Sequence, residues 1–240
     1  MMTILEFKKV AKSYGVVTVL PEMSFHVNKG EFISLLGPSG CGKTTTLRLI
    51  AGLEEPSSGE IILDGKSMAD AKHFVPPEKR NLGMVFQSYA VWPHMTVFEN
   101  VAYPLRIRKL GKPEIQSRVA KILKALHLDG LEKRHPHELS GGQQQRVALG
   151  RALVMEPVML LLDEPLSNLD AKLRLGMRKE MKQIQSDFHT TIIYVTHDQD
   201  EAMAMSDRIL LMNKGHIEQD GAPAELKSSP ATEFVREFLE

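Results

Sequence analysis

The stretch Gly37-Pro38-Ser39-Gly40-Cys41-Gly42-Lys43-Thr44 fits the spacing G-x-x-x-x-G-K-[ST]; it follows the apolar run Ile33–Leu36 and precedes the helical pattern Thr44–Ile50. Few short segments limit a chain's fold so strongly. Glycines let backbone N–H groups turn inward around an anion, and the start of a helix adds partial positive charge. In that setting the Lys43 ammonium reaches the β- and γ-phosphates of a nucleotide, and the Thr44 hydroxyl ligates Mg²⁺. A strand, a glycine-rich loop and a helix in this order demand an α/β core. Cys41 lies inside the loop, where a small residue is tolerated, and no catalytic role is assigned to it.

The rest of the chain agrees. Short apolar strands are expected at Ile4–Val10, Glu31–Leu36, Glu60–Leu63, Leu82–Phe86, Val158–Leu162, Thr191–Val195, Arg208–Met212 and His216–Gln219. The runs at 158–162 and 191–195 are apolar without alternation, which suits strands covered on both faces of a parallel sheet. Ile115, Val119, Ile122 and Leu126 mark one face of a helix that Pro113 opens. Further helices are expected after Ser140 to about Met155, over Ala171–Phe188, and after His197. Glu55–Gly59, Val75–Pro77 and Gly221–Pro223 read as turns. Residues 30–87 and 156–219 alternate strand and helix, whereas 88–155 read as helical. The expectation is an α/β core with a helical part inserted in the middle.

Composition removes several function classes. With 42% apolar and 25% charged residues, the 240-residue chain is neither disordered nor low-complexity. Lys plus Arg and Asp plus Glu are 30 each, so no net positive charge drives nucleic-acid binding. One cysteine excludes an internal disulfide and a cysteine-rich metal site. The run Val158–Leu162 has five residues, far below the length of a membrane span. Met1–Glu6 lacks the basic start and apolar core of a secretory signal. A cytoplasmic protein is expected, with any membrane role supplied by a partner. Between Pro104 and Arg134 nine Lys/Arg face three Asp/Glu, which reads as a solvated helix face or a docking surface.

Two further groups carry chemistry. Asp163 ends an apolar strand, where an acid can hold Mg²⁺ beside the phosphate loop, and Glu164 follows it, placed to polarise an attacking water. The C-terminal ends of strands are where α/β sheets bind ligands. Leu139-Ser140-Gly141-Gly142-Gln143 then offers a second backbone anion site at a helix start. A single nucleotide-binding loop does not need a second phosphate grip.

Together these segments resemble the ATP-binding subunit of an ABC transporter, over nearly the whole chain. The family's parts stand in order: Gly37–Thr45 (Walker A), Gln87 (Q-loop), Leu139–Gln143 (signature), Leu160–Glu164 (Walker B), Ser167–Asp170 (D-loop) and His197 (switch histidine). The resemblance implies a P-loop NTPase core of the RecA-like type, with an N-terminal antiparallel β subdomain and an inserted helical signature subdomain. It implies one ATPase domain over 1–240, with 1–87 and 156–240 as nucleotide-binding core, 88–155 as helical subdomain, and no C-terminal regulatory domain. It assigns roles as well. Tyr14 would stack on adenine. Gly37 to Thr45, that is Gly37, Pro38, Ser39, Gly40, Cys41, Gly42, Lys43, Thr44 and Thr45, would hold the phosphates. Thr44, Gln87 and Asp163 would serve Mg²⁺. Glu164 would be the catalytic base, aided by His197, Lys43 and Gln87. Ser140, Gly141, Gly142 and Gln143 of a second copy would close on the same ATP, and Asp170 would line the interface. Two copies sandwiching two ATP form a symmetric dimer.

Longer stretches narrow the resemblance. Pro77–Ala90, Pro93–Val97, Glu164–Ala171 and the tail Gly221–Phe238 are similar to bacterial importers of the maltose, polyamine, iron(III) and sulfate type. In that group integral-membrane permease subunits would dock in a groove near 88–103, where Tyr89, Trp92, Phe98 and Tyr103 cluster, and a substrate-binding protein would act indirectly. The chain would sit peripherally on the cytoplasmic side of the inner membrane. Val91-Trp92 departs from the Leu-Tyr or Leu-Phe common there. Two other readings fit the sequence less well. An ABC ATPase acting on nucleic acid or the ribosome is disfavoured by the 52 residues between Gln87 and Ser140, too few for a long coiled-coil insert, and by one Walker A. A non-hydrolysing interaction protein is disfavoured by the presence of both Glu164 and His197.

Overall fold

A computed structural model describes residues 2–240; Met1 lies outside the described residues. Two sheets organise it. The first is antiparallel and contains β1 (Thr3–Tyr14), β2 (Val17–Asn28), β4 (Ser58–Leu63) and β5 (Lys66–Ala69), in the order β2-β1-β4-β5. The second contains β3 (Phe32–Leu36), β6 (Leu82–Val85), β7 (Met159–Asp163), β8 (Thr191–Thr196), β9 (Arg208–Asn213) and β10 (His216–Gly221). Its order is β10-β9-β3-β8-β7-β6, parallel throughout except for β10 against β9.

Alternate residues of the central strands enter two different cores. Leu160 and Leu162 of β7 join Ile192 and Tyr194 of β8 on one side. Met159 and Leu161 join Ile193 and Val195 on the other. Period-two side-chain direction with both faces covered is the reason these strands carry no polar alternation.

The helices are α1 (Lys43–Ala51), α2 (Val97–Ile107), α3 (Lys112–Ala125), α4 (Gly141–Leu153), α5 (Ala171–Phe188), α6 (Gln199–Met205), α7 (Pro223–Ser228) and α8 (Glu233–Leu239). Thr96 and Glu99 cap α2 reciprocally. α2, α3 and α4 pack on one another through Val101, Leu105, Val119, Ile122 and Val147, and α4 also packs on β6. All the expected strands and helices are present, with ends that differ by a few residues. Two expected turns differ. Ser58 and Gly59 begin β4, because they lie beside β1, where Ala11 pairs with Ser58. Gly221 closes β10, and Pro223 opens α7, where its missing N–H costs nothing.

The helix that starts at the phosphate loop is held at its far end by a buried cation. The Arg80 guanidinium donates to Leu49 O (2.8 Å) and Ile50 O (2.9 Å) at the C-terminus of α1, and to Val75 O (2.7 Å) and Met68 O (3.1 Å). A positive group at a helix C-terminus opposes the helix dipole favourably. Burial lowers its pKa to about 10, so it stays charged at neutral pH.

Candidate nucleotide site

Strand register brings the candidate residues to one sheet edge. Leu36 of β3 lies opposite Thr196 of β8, and Val195 lies opposite Asp163 of β7. The chain therefore leaves three adjacent strands at the same level, into the loop 37–42, into His197 and into Glu164.

The loop closes around its lysine. Lys43 is 5% exposed, and its Nζ donates to Gly37 O (2.7 Å) and Pro38 O (2.9 Å), with Cys41 Sγ at 3.8 Å. No carboxylate forms an ion pair with it among the described residues. A buried cation without a paired anion favours a bound anion strongly. Gly37 is required where it stands. Its φ is 151°, and a Cβ there would meet Met212 O at 2.2 Å. Gly37→Ala is expected to destabilise the chain by about 1–3 kcal/mol through this overlap. Denaturant unfolding would check it, with an unchanged midpoint counting against the tight approach. Burial raises the Cys41 thiol above its ordinary pKa, which leaves it unreactive in the loop.

Beside the loop, the Thr44 hydroxyl donates to Asp163 Oδ1 at 3.0 Å. Asp163 is 8% exposed, and burial raises its carboxyl pKa; the Thr44 bond opposes that shift and the adjacent Glu164 charge adds to it. Glu164 follows in a left-handed conformation (φ 46°), with its N–H on Val195 O (3.0 Å). Its Oε2 lies 3.2 Å from His197 Nδ1. A cavity of about 60 Å³, lined by Glu164, Ser167, Arg174, Thr196, His197, Asp198 and Glu201, opens beside this pair. It is large enough for water.

Tyr14 stands near the first turns of α1, 47% exposed, and its hydroxyl donates to Glu54. Burial and Glu54 raise its phenol pKa; Thr45 and Arg48 of α1 pull the other way. Its exposed ring leaves a face open at the rim of the loop, crossed on one side by Lys12 Nζ, 4.8 Å from the centroid. Ser39 and Gly40 are exposed at the loop tip. Gln87, two residues beyond β6, has an exposed side chain, and its carbonyl accepts Asn168 Nδ2 at 2.7 Å.

The structure leaves two expected groups outside this cluster. Ser140 caps α4 by accepting Gln143 N–H on its hydroxyl (3.4 Å), and its own backbone N–H donates to Gln143 Oε1 in return (2.9 Å). Neither Ser140, Gly141, Gly142 nor Gln143 hydrogen-bonds the loop, Asp163, Glu164 or His197 among the described residues. Gly141 instead lies against Leu169, in the segment before α5. Asp170 caps α5 by accepting Leu173 N–H (2.9 Å). The expected aromatic groove also differs. Tyr89 is buried in the core beneath α2 and α4, while Trp92, Phe98 and Tyr103 are half-buried.

Two contributions lie beyond the sequence reading: the bond made by Asn168 of the Ser167–Asp170 segment, and the buried Glu201. Asn168 ties the segment after Glu164 to Gln87 across 81 positions. Glu201 is buried and accepts from Tyr194 Oη (2.7 Å) and Thr196 Oγ1 (2.8 Å), which fixes the residue before His197. Its signal is the Asp198-x-x-Glu201 cap spacing, in which Asp198 accepts Glu201 N–H (3.0 Å). A concavity of about 600 Å³ around Glu31, Arg208 and Asp220 lies at the opposite end of the sheet. Arg208 occupies it with ion pairs to Glu31 (2.9 Å) and Asp220 (3.5 Å), and it offers no phosphate loop.

Known proteins resemble this chain in sequence and fold. The family model described as ABC transporter matches residues 20–167. A trehalose/maltose import ATP-binding protein of Thermococcus litoralis is 57% identical over 96% of the chain and 62% of its own length. A spermidine/putrescine import ATP-binding protein of Haemophilus influenzae is 52% identical over 98% of the chain and 62% of its own length. The chain thus spans about 62% of these relatives. Among solved structures, cbiO1 of Clostridium perfringens, part of an ABC transporter complex, superposes with a TM-score of 0.88 at 30% identity, covering 96% of this chain and 93% of that one. A dimeric ATP-binding cassette bound to ADP and Pi superposes with a TM-score of 0.80 at 32% identity, covering 92% of this chain and 99% of that one.

Proposed function

The chain belongs to the ABC transporter family of ATP-binding proteins, and from that premise we propose that it is the ATP-hydrolysing subunit of an importer, acting as a pair of copies that share two ATP. One observation carries this reading. The chain has two helix starts built for anions, at Lys43 and at Ser140, and only the first joins the Asp163, Glu164 and His197 centre. A second copy brings its Ser140 end to the phosphate held by the first. The dimeric cassette with ADP and Pi supports that pairing.

The residues present fit ATP and Mg²⁺. The buried, unpaired Lys43 suits a polyphosphate, and the Thr44 hydroxyl with the Asp163 carboxylate offers the hard oxygen donors that Mg²⁺ prefers. Thr44, Asp163 and Gln87 would hold the metal, which supplies charge neutralisation on the phosphates when bound. Lys43 and the loop N–H groups orient the phosphate chain. Tyr14 offers a ring face to the base. Glu164 takes the proton of the attacking water, and His197, oriented through Thr196 and Glu201, faces the same space. Differential affinity of ATP for the closed pair drives the conformational change.

In this reading residues 1–87 and 156–240 are the nucleotide-binding core and 88–155 the helical insert, with Asp170 at the interface between copies. The import ATP-binding proteins among the relatives support an importer, with permease subunits docked near 88–103 and a substrate-binding protein beyond them. No helix among the described residues is long and apolar enough to cross a membrane; in the importer reading the chain attaches peripherally, at the cytoplasmic face, through its permease partners. Relatives named for sugar, polyamine and iron import leave the cargo to the other subunits.

The test is ATP hydrolysis with Mg²⁺ against chain concentration. Specific activity is expected to rise with concentration, because each site needs two copies. Activity that is constant per chain would count against the shared site.

A further inference from the structure

The turn after Gln87 is held in an unfavourable backbone conformation. Tyr89 (φ 61°) and Ala90 (φ 48°) are successive non-glycine residues in the left-handed region. Such a pair persists only where its surroundings over-determine it. Arg151, in the last turn of α4, does so. One guanidinium nitrogen donates to Ala90 O at 2.7 Å and the other to Tyr89 O at 3.0 Å. The guanidinium also lies over the Trp92 ring, 4.4 Å from its centroid, and Trp92 packs on Tyr103 of α2 with centroids 4.4 Å apart. Asn100, fully buried in α2, closes the far side. Its amide donates to the carbonyls of Trp92 (3.1 Å), Met95 (3.1 Å) and Thr96 (3.0 Å), and it accepts Trp92 N–H (2.9 Å). Arg151 forms no ion pair with a carboxylate among the described residues; its partners are two carbonyls and one ring.

This places a rigid connection between two parts of the proposed site. Arg151 lies ten residues along α4 from Gly141, about 15 Å at the helical rise. On the other flank, Asn168 holds the Gln87 carbonyl. We infer that Arg151 is a positioning residue that locks the turn after Gln87 to the signature helix, so that movement at Gln87 carries Ser140 with it. The inference rests on the ATPase reading above and adds to it the residue that joins the Gln87 turn to the helix that begins at Ser140. Lysine cannot replace arginine here. It cannot grip two carbonyls with a planar fork, and it stacks less well on indole.

Trp92 is the chain's only tryptophan, so its emission reads the latch directly. Three full-length proteins would be compared: wild type, Arg151→Lys, and Arg151→Lys with Ala90→Gly. In Arg151→Lys the emission of the nucleotide-free protein is expected to shift to the red as the indole loses its cover. Binding of a fluorescent ATP analogue is expected to persist. The ATP-induced change in Trp92 emission should be lost, and kcat should fall about 10–100-fold with little change in KM, as for a displaced catalytic constellation. Glycine at position 90 adopts φ > 0 without cost, so the double variant should recover part of both signals. Wild-type emission and turnover in Arg151→Lys would overturn the latch. A loss of melting temperature that Ala90→Gly does not relieve, with the emission response intact, would make Arg151 a packing residue and overturn it as well. A wild-type chain that binds ATP but leaves Trp92 unresponsive sinks the latch alone; a wild-type chain that binds no ATP sinks the ATPase reading and the latch with it.

Discussion

Replacing Glu164 by Gln is expected to lower ATP turnover by about 10²–10⁴-fold, the range for removing a general base, while ATP binding remains. The substitution changes one atom's chemistry and little geometry. The amide keeps an oxygen that can accept from His197 Nδ1, now 3.2 Å away, and the backbone at 164 stays anchored by its N–H on Val195 O. The left-handed conformation of Glu164 is a cost of about 1–3 kcal/mol that neighbouring structure must sustain. It aims the carboxylate at the small cavity shared with His197 and Ser167. What the amide cannot do is accept a proton from water. Substrate then outlives the step that reopens the pair, so a dimer that depends on ATP should accumulate and be visible by size-exclusion chromatography. Turnover within tenfold of wild type would take Glu164 out of the role and leave His197 as the remaining candidate base.

The nucleotide loop and its acid partner were legible because each is contiguous and bounded by strong local signals. Lys43 follows its glycines, and Asp163 ends a five-residue apolar strand. What stayed hidden depends on contacts between distant segments. β2 is not legible in the sequence because Pro21 interrupts its alternation; the structure places that strand at a sheet edge, where proline removes no ladder bond. α2 was obscured by Pro104 in its last turns, although the Thr96–Glu99 cap announces its start. Arg80 sits in the charged run Glu78-Lys79-Arg80, which reads as solvated. It is 2% exposed, because Gly52 leaves room for it: a Cβ at 52 would meet Arg80 Nε at 2.4 Å. No local pattern encodes that fit. Tyr89 was expected in a docking groove and is buried for the related reason that the turn around it is set by Arg151, 62 positions away.

Asp163→Asn is expected to raise the stability of the nucleotide-free chain and to cut Mg²⁺-dependent turnover by at least 10²-fold or so, the effect of losing several kcal/mol of metal-borne charge stabilisation. The two outcomes have one cause. Burial raises the Asp163 pKa, and the Thr44 bond only partly opposes it. A carboxyl whose folded pKa exceeds its unfolded value binds its proton more tightly when folded. Its contribution to stability is therefore greatest at low pH and is lost as pH rises from the unfolded value through the folded one. At neutral pH the ionised group weakens the empty chain. Asparagine keeps an oxygen for the Thr44 hydroxyl and removes the charge, so the gain should be about 0.5–2 kcal/mol, as for other relieved functional sites. The difference in Tm between variant and wild type should shrink as pH falls through the Asp163 pKa. With Mg²⁺ and ATP the order should reverse, because only the carboxylate gains a cation on binding. A variant that melts lower than wild type at neutral pH without nucleotide would mean that Lys43 and Arg48 stabilise the buried carboxylate better than water does. Its charge would then belong to the fold as much as to the metal.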